Sequence, residues 1–224
     1  MRQATSMIEL VFAIVIMGIA VMSLPLILTQ VQNNNAFAMQ QEAILAAKAK
    51  IGDILTYEWD ENSYSAATQR AYVLDTTSDT NLSRVLGTNR RVGHVNAESR
   101  RKLFDATINP TTLLGKEGAV FNDIDDFSSN TPSVLTAATV AETAGSLDYI
   151  FDLNMTTTVT YAADTANYTS SSLGVFALNP DDNGATTNIK TISVRVTGAN
   201  NNITLRTFSC NIGESAMLQS RPYQ

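Results

Sequence analysis

The segment ATSMIELVFAIVIMGIAVMSLPLIL, residues 4–28, places one carboxylate, Glu9, at the start of an uncharged run that covers residues 10–28. About 20 apolar residues are enough for an α-helix to cross the hydrocarbon core of a bilayer. An ionisable side chain in such a segment is costly to hold in hydrocarbon, so we expect it to have a partner and a function. The sequence therefore predicts an N-terminal membrane-spanning helix in which Glu9 has a specific role.

Two ordinary interpretations of this segment are a cleaved secretory signal peptide and a plain membrane anchor. The core of a signal peptide is usually about 7 to 15 residues long and leads to a cleavage site of small residues. Here the uncharged run is longer, continues past Pro25, and is not followed by an A-x-A pattern. A plain anchor gives no reason for a carboxylate at the start of the run. Neither interpretation accounts for Glu9.

The segment resembles the class III signal of type IV pilins and of the pseudopilins of type II secretion. In that family a prepilin peptidase removes a short basic leader on the cytoplasmic side and usually methylates the new amino terminus. A glutamate lies four residues beyond the new first residue. Placing Glu9 there puts the cut between Ala4 and Thr5, although Ala4 stands where glycine is usual and Thr5 where phenylalanine is common.

The resemblance also implies a role for Glu9 in assembly. In the family, the glutamate of one subunit is thought to meet the amino terminus of a neighbour, which sets the axial register of a filament. Cleavage after Ala4 would leave a cationic amine on Thr5 in the same low-dielectric layer, where opposite charges attract more strongly than in water. The implied partners are other pilin subunits, the prepilin peptidase and an inner-membrane assembly platform, with membrane lipid around the helix before assembly.

The helix is predicted to continue beyond the membrane as an amphipathic half. Apolar residues such as Phe37, Ile44 and Ile51 recur near helical spacing with polar residues between them. Pro25 can kink the helix because it lacks an amide hydrogen and its ring clashes with the preceding turn. We therefore divide the chain into a leader (1–4), a transmembrane and assembly half (5–30), an upper half of the helix (31–58) and an extracytoplasmic globular domain (59–224).

The last third of the chain has the alternation of β-strands. The clearest strand lies at residues 191–197, where Ile192, Val194 and Val196 share one face, and the turn at residues 198–202 leads into a second strand. The predicted fold class is α+β, a long N-terminal helical stem packed on a C-terminal antiparallel sheet. We expect strands over residues 147–153, 155–161, 173–178, 189–197 and 203–210.

The orientation in the membrane follows from the basic residues. Arg2 is the only basic residue before the uncharged run, which favours a cytoplasmic N-terminus under the positive-inside tendency. We expect a single-pass inner-membrane protein that then enters an extracellular pilus or a periplasmic pseudopilus.

A cluster of acids in the middle of the chain is a candidate cation site. The segment NDIDDF, residues 122–127, brings Asp123, Asp125 and Asp126 together in sequence. Carboxylate oxygens are the ligands that calcium prefers in proteins. The glycine and distal glutamate of an EF-hand loop are missing, so the calcium prediction depends on the clustered carboxylates alone.

No catalytic arrangement is evident, and we expect the chain not to be an enzyme. His94 is the only histidine and Cys210 the only cysteine, and neither lies in a motif that supplies a nucleophile, a base and an oxyanion hole. A single cysteine also excludes an internal disulfide. The net charge of −6 argues against nucleic-acid binding.

Three further features extend the resemblance beyond the N-terminus. A WDE segment at residues 59–61, the aspartate-rich DIDDF stretch and a closing hairpin that leads to NIG at residues 211–213 look like minor pilins of the mannose-sensitive haemagglutinin pilus type. That family implies a low-abundance structural subunit of a type IV pilus. A pseudopilin of a type II secretion system and a membrane-anchored extracytoplasmic binding domain are the alternatives.

Overall fold

A long N-terminal helix packs on a C-terminal antiparallel sheet, which confirms the predicted α+β fold class. The helix, α1, covers Arg2–Ile54. We call it the stem, and we call the described part of residues 55–214 the head. The computed structural model describes residues 2–79, 82–92, 101–129, 132–135, 149–164, 178–179, 185–198 and 201–214.

The stem is one continuous helix through the possible kink at Pro25. It passes Pro25, whose carbonyl oxygen accepts a hydrogen bond from the Thr29 hydroxyl at 2.8 Å, and it passes the three asparagines at residues 33–35. The helix ends at Ile54, four residues before the predicted limit of 58. It ends there because Thr56 and Tyr57 donate their amides to the carbonyl oxygens of residues 53 and 54, which closes a tight turn.

Four strands, β3 (Ser133–Leu135), β4 (Leu153–Tyr161), β7 (Ile189–Thr197) and β8 (Asn202–Cys210), form the main sheet in that order, and all neighbours are antiparallel. The strands predicted over residues 155–161, 189–197 and 203–210 are confirmed as β4, β7 and β8. The strands are β1 (Tyr64–Ser65), β2 (Arg70–Ala71), β3 (Ser133–Leu135), β4 (Leu153–Tyr161), β5 (Ala163–Asp164), β6 (Leu178–Asn179), β7 (Ile189–Thr197) and β8 (Asn202–Cys210).

The strand predicted over residues 147–153 is wrong for its described part. Residues 150 and 151 bend, and the strand begins only at Leu153. The physical reason is that the amides of Ile150 and Phe151 donate to the Glu42 carboxylate of the stem instead of to a neighbouring strand. The strand predicted over residues 173–178 lies outside the described residues except for Leu178, which begins β6.

The core lies between the stem and one face of the sheet. The stem contributes small residues, since Ala43 and Ala47 are fully buried, and small side chains let a helix approach a sheet closely. The sheet contributes the alternating residues of β4 and β7, because successive side chains of a strand point to opposite faces. The core residues from β4 and β7 are Leu153, Met155, Val159, Tyr161, Ile192, Val194 and Val196.

Candidate functional site

The lower stem, defined as residues 7–28, is exposed on all sides. Large apolar side chains such as Phe12, Met17 and Leu26 are 63%, 64% and 73% exposed. At the usual rise of 1.5 Å per residue this segment is about 33 Å long, which matches the hydrocarbon thickness of a bilayer. By length and composition the helix could therefore cross a membrane.

The predicted processing and assembly residues lie at the free end of the stem. Ala4 and Thr5 are within the helix, and the Glu9 side chain is exposed. In an α-helix, residues 5 and 9 are on one face and about 6 Å apart along the axis. The cleavage between Ala4 and Thr5 and the pairing of Glu9 with a neighbour stay predictions.

Glu42 fastens the upper stem to the head. Its Oε2 accepts a hydrogen bond from the Phe151 amide at 3.1 Å, and its Oε1 accepts a short one from the Ile150 amide. Hydrogen bonds to a charged acceptor are stronger than those between neutral groups. The carboxylate thus fixes the chain that enters β4 against the stem.

The head contains a buried ammonium group where three distant segments meet. Lys190 of β7 is fully buried, and its Nζ donates to the Trp59 carbonyl oxygen at 2.8 Å, to Asp60 Oδ2 at 3.1 Å and to Asp125 Oδ1. These bonds use all three hydrogens of the ammonium group. The Trp59 ring also lies 4.6 Å from Nζ, in the range of a cation–π contact.

The acids around Lys190 also organise the local backbone. Asp123 accepts the amides of Asp125 and Asp126 on Oδ1 and that of Glu61 on Oδ2, at 3.0 to 3.1 Å. Asp60 accepts the Asn62 amide at 3.1 Å on its other oxygen. The aspartates of the NDIDDF segment therefore hold a short 3₁₀ turn at Asp125–Phe127 and connect it to Glu61, in the segment that follows the stem.

One buried ammonium group faces more carboxylates than it can neutralise. Asp60, Asp123 and Asp125 are each 0% exposed. Burial raises the pKa of Asp123 to about 6 and that of Asp125 to about 7, although the charge of Lys190 lowers both. Burial also raises the pKa of Glu61. The cluster, called here the buried acid centre (Asp60, Glu61, Asp123, Asp125 and Lys190), therefore contains two aspartates, Asp123 and Asp125, whose pKa values lie closer to neutral pH than usual.

The structure brings together two of the three predicted calcium ligands. Asp123 and Asp125 lie with Asp60 and Glu61 such that one oxygen from each falls within 4.8 Å of the others. Asp126 is not part of that group, and its Oδ2 accepts the Asn122 amide at 2.7 Å. Lys190 already supplies a cation to two of these acids, Asp60 and Asp125. Calcium binding stays a prediction.

The two central members, Lys190 and Asp60, were missed from the sequence. One signal was present, because residue 190 has the same strand parity as Ile192, Val194 and Val196 and so faces the apolar side of β7. A lysine on that face requires a buried acid. Nothing local indicates that the partner is Asp60, which lies 130 residues away.

His94 lies outside the described residues, and the expectation that the chain is not an enzyme stays a prediction. Comparison of the chain with family models, with curated proteins and with solved structures gives no match.

Proposed function

We propose that the chain is a structural subunit, of the minor pilin type, in a type IV pilus-like filament. In this proposal a prepilin peptidase removes residues 1–4, the lower stem holds the subunit in the inner membrane with a cytoplasmic N-terminus, and the stem then enters the filament. Glu9 pairs with the amino terminus of a neighbouring subunit. The head provides the extracytoplasmic surface.

The exposed lower stem carries the proposal. A helix about 33 Å long with large apolar side chains on every face needs lipid or neighbouring helices to cover it, because water solvates such a surface poorly. Glu9 is the only charged residue of the described lower stem. A carboxylate at this position needs a cation, and an N-terminal amine one helical turn away on the same face of a neighbour is a suitable one.

The upper stem supports the same conclusion. It is buried by alanines against the sheet and fastened through Glu42, whereas the lower stem has no contact with the described head. A helix that is divided into a packed half and a bare half can attach a folded domain to a bundle of similar helices. Filament assembly therefore uses the bare half and leaves the head unchanged.

The test is the mass and N-terminal sequence of the protein from membranes of cells with and without an active prepilin peptidase. We expect a peptidase-dependent product that begins at Thr5, with or without a methyl group. An uncut Met1 terminus, or a cut beyond Leu28, would contradict the proposal.

A second test concerns Glu9. The Glu9→Gln variant should insert into the membrane and be cleaved as the wild type is, but its incorporation into filaments should fall strongly. Asp53→Asn is the matched control, since it removes an exposed carboxylate from the upper half of the same helix. Normal incorporation of Glu9→Gln would refute the assembly role, and loss of secreted enzymes on deletion of the gene would assign the chain to type II secretion instead.

A further inference from the structure

The strand β8 lies at an edge of the main sheet. It pairs with β7 along its nine residues, and within the described parts of the chain no strand pairs with its other side. The opposite edge strand, β3, has three residues. Long edge strands offer unpaired backbone groups to other chains, whereas short ones offer few.

The hydrogen-bond pattern shows which groups of β8 point outward. In an antiparallel pair, directly opposite residues alternate between those that exchange hydrogen bonds and those that do not. The amide of Asn211 donates to the Asn188 carbonyl, and that of Gly198 donates to Asn201, so even-numbered residues of β7 bond to odd-numbered residues of β8. The Ala162 amide donates to Ile189, so odd-numbered residues of β7 bond to β4.

The even-numbered residues of β8 therefore direct their amide and carbonyl groups away from the sheet. At the centre of the strand these residues are Thr204, Arg206 and Phe208, and all three side chains are exposed. Among the residues that the structure describes, no backbone group of another segment bonds to the amides and carbonyls of these three residues. Six adjacent backbone groups are thus available to an additional strand.

The side chains beside this edge differ between the two faces of the sheet. On the stem side, Ile203 and Leu205 are only partly buried, at the margin of the core. On the opposite side, Arg206 is exposed and diagonal to Arg195, and the described residues include no ion pair of Arg206. An added strand would meet Ile203 and Leu205 on one face and Thr204, Arg206 and Phe208 on the other, with Arg195 one strand further from the edge.

A second copy of the chain fits this edge poorly. If two β8 strands paired antiparallel, the two stems would point in opposite directions. Both stems could then not enter one membrane from the same side. This argument rests on the proposed membrane anchoring. Parallel pairing places the stems on opposite faces of the joined sheet. Ile203 and Leu205 of one copy would then adjoin the polar face of Thr204 and Arg206 in the other.

We propose that the outer edge of β8 binds an extended segment of a different protein, which adds a strand to the sheet. The segment has alternating apolar residues that cover Ile203 and Leu205, and it has an acidic residue on the other face next to Arg206. Backbone hydrogen bonds to residues 204, 206 and 208 supply the affinity, and the acidic residue supplies the selectivity, as in other modes of strand addition. The chain as a whole is acidic, with a net charge of −6, so the positive charge of Arg195 and Arg206 is opposite in sign to that of the whole protein.

The first measurement is residue-resolved hydrogen exchange of the full chain in detergent micelles. We expect the amides of Ile203, Leu205 and Thr207 to exchange slowly because they bond to β7. The amides of Thr204, Arg206 and Phe208 should exchange fast. Slow exchange of the second set in the free protein would overturn the proposal, since the edge would then be covered by the chain itself.

The second measurement uses a synthetic probe, the acetylated and amidated peptide Val-Thr-Val-Glu-Val-Thr-Val, and the same peptide with lysine in place of glutamate. We expect the glutamate peptide to bind at millimolar concentrations and to slow the exchange of the amides of Thr204, Arg206 and Phe208. The lysine peptide should bind about tenfold more weakly. No binding of the glutamate peptide, or binding that leaves these three amides unprotected, would overturn the proposal.

Two variants of β8 test the proposal without disturbing the bonds to β7 and without requiring filament assembly. Thr204→Pro removes an outward amide and blocks the edge without removing a bond to β7, so it should abolish peptide binding, while the matched control Thr204→Val should not. Arg206→Glu should reverse the preference between the two peptides. A dimer in detergent that Thr204→Pro dissociates would replace the proposal with self-association. Failure of cleavage at Thr5 would refute only the filament assignment, because the peptide assay does not require assembly.

Discussion

Replacement of Lys190 by methionine tests the buried acid centre most directly. Lys190→Met keeps a long apolar side chain but removes the ammonium group that contacts Trp59, Asp60 and Asp125. Both carboxylates are 0% exposed, so water cannot replace the lost partner without opening the core. The substitution therefore leaves buried negative charge uncompensated.

The expected cost follows from that burial. Removing one partner of a buried ion pair costs about 3–5 kcal/mol in the free energy of unfolding. Lys50→Met is the matched control, because Lys50 pairs with Asp53 at 2.9 Å and the two side chains are 30% and 52% exposed. An exposed pair of this kind contributes about 1 kcal/mol or less. The two lysines should therefore differ several-fold in their effect on stability.

The effect should depend on pH with a definite sign. Burial raises the pKa of Asp125 from an ordinary value of 3.8 to about 7, so between these values the folded state holds a proton that the unfolded state has released. Stability then falls as pH rises through this window, by about 2–3 kcal/mol between pH 5 and pH 8. Without Lys190 the pKa values of Asp123 and Asp125 rise further, so the decline should be steeper in the variant.

The assay is urea unfolding of the full chain in detergent micelles, followed by tryptophan fluorescence at pH 5 and pH 8. Trp59 is the only tryptophan, and its ring lies 4.6 Å from Lys190 Nζ, so its emission reports on the centre itself. We expect Lys190→Met to lose about 3–5 kcal/mol at pH 8 and clearly less at pH 5, where Asp123 and Asp125 hold protons. Asp125→Asn in the same background should restore part of the loss.

Two results would refute this reasoning. A loss below about 1 kcal/mol at pH 8, equal to that of Lys50→Met, would mean that the ammonium group does not compensate buried charge. A loss that is the same at pH 5 and pH 8 would mean that the neighbouring carboxylates do not titrate in this range.

Three further expectations concern the head and can be measured by the same unfolding assay. Gly213→Ala should cost about 1–3 kcal/mol, because Gly213 has a φ of 56° and an added Cβ would lie 2.9 Å from the Tyr72 carbonyl carbon; an unchanged midpoint would contradict the crowding. Glu42→Gln should cost about 1 kcal/mol, since an amide oxygen replaces a carboxylate that accepts two amides, and no loss in Glu42→Gln beside a clear loss in Glu42→Ala would show that the charge is unimportant. For the predicted calcium site, a rise of the midpoint with calcium that Asp123→Asn abolishes would support binding, and no rise would refute it.

The stem and the two long strands near the C-terminus could be predicted because their signals are local. An apolar run of sufficient length defines the stem, and period-two alternation defines β7 and β8 with nearly the observed limits. The strand expected over residues 147–153 failed because a side chain 108 residues earlier, Glu42, takes the amide of Ile150. The residue types within the segment itself do not indicate that bond.

The candidate site divides in the same way. The sequence predicted that Asp123 and Asp125 act together, because they are adjacent in one segment. It did not predict their cation, because Lys190 comes from β7 and Asp60 from the segment that follows the stem, and only the tertiary packing brings these together. Strand parity indicated that residue 190 faces the core, but parity cannot name a partner.

The buried acid centre also explains how β7 is held in one register. A shift by one residue would turn Ile192 and Val194 to the solvent face, which hydrophobic burial alone prevents. A shift by two residues would keep the apolar face inward, so alternation cannot prevent it. Such a shift would move the ammonium group of Lys190 by about 7 Å and leave Asp60 and Asp125 buried without a cation. The charged centre therefore penalises the register that the apolar pattern tolerates, and it does so where β7 contacts the segment that follows the stem.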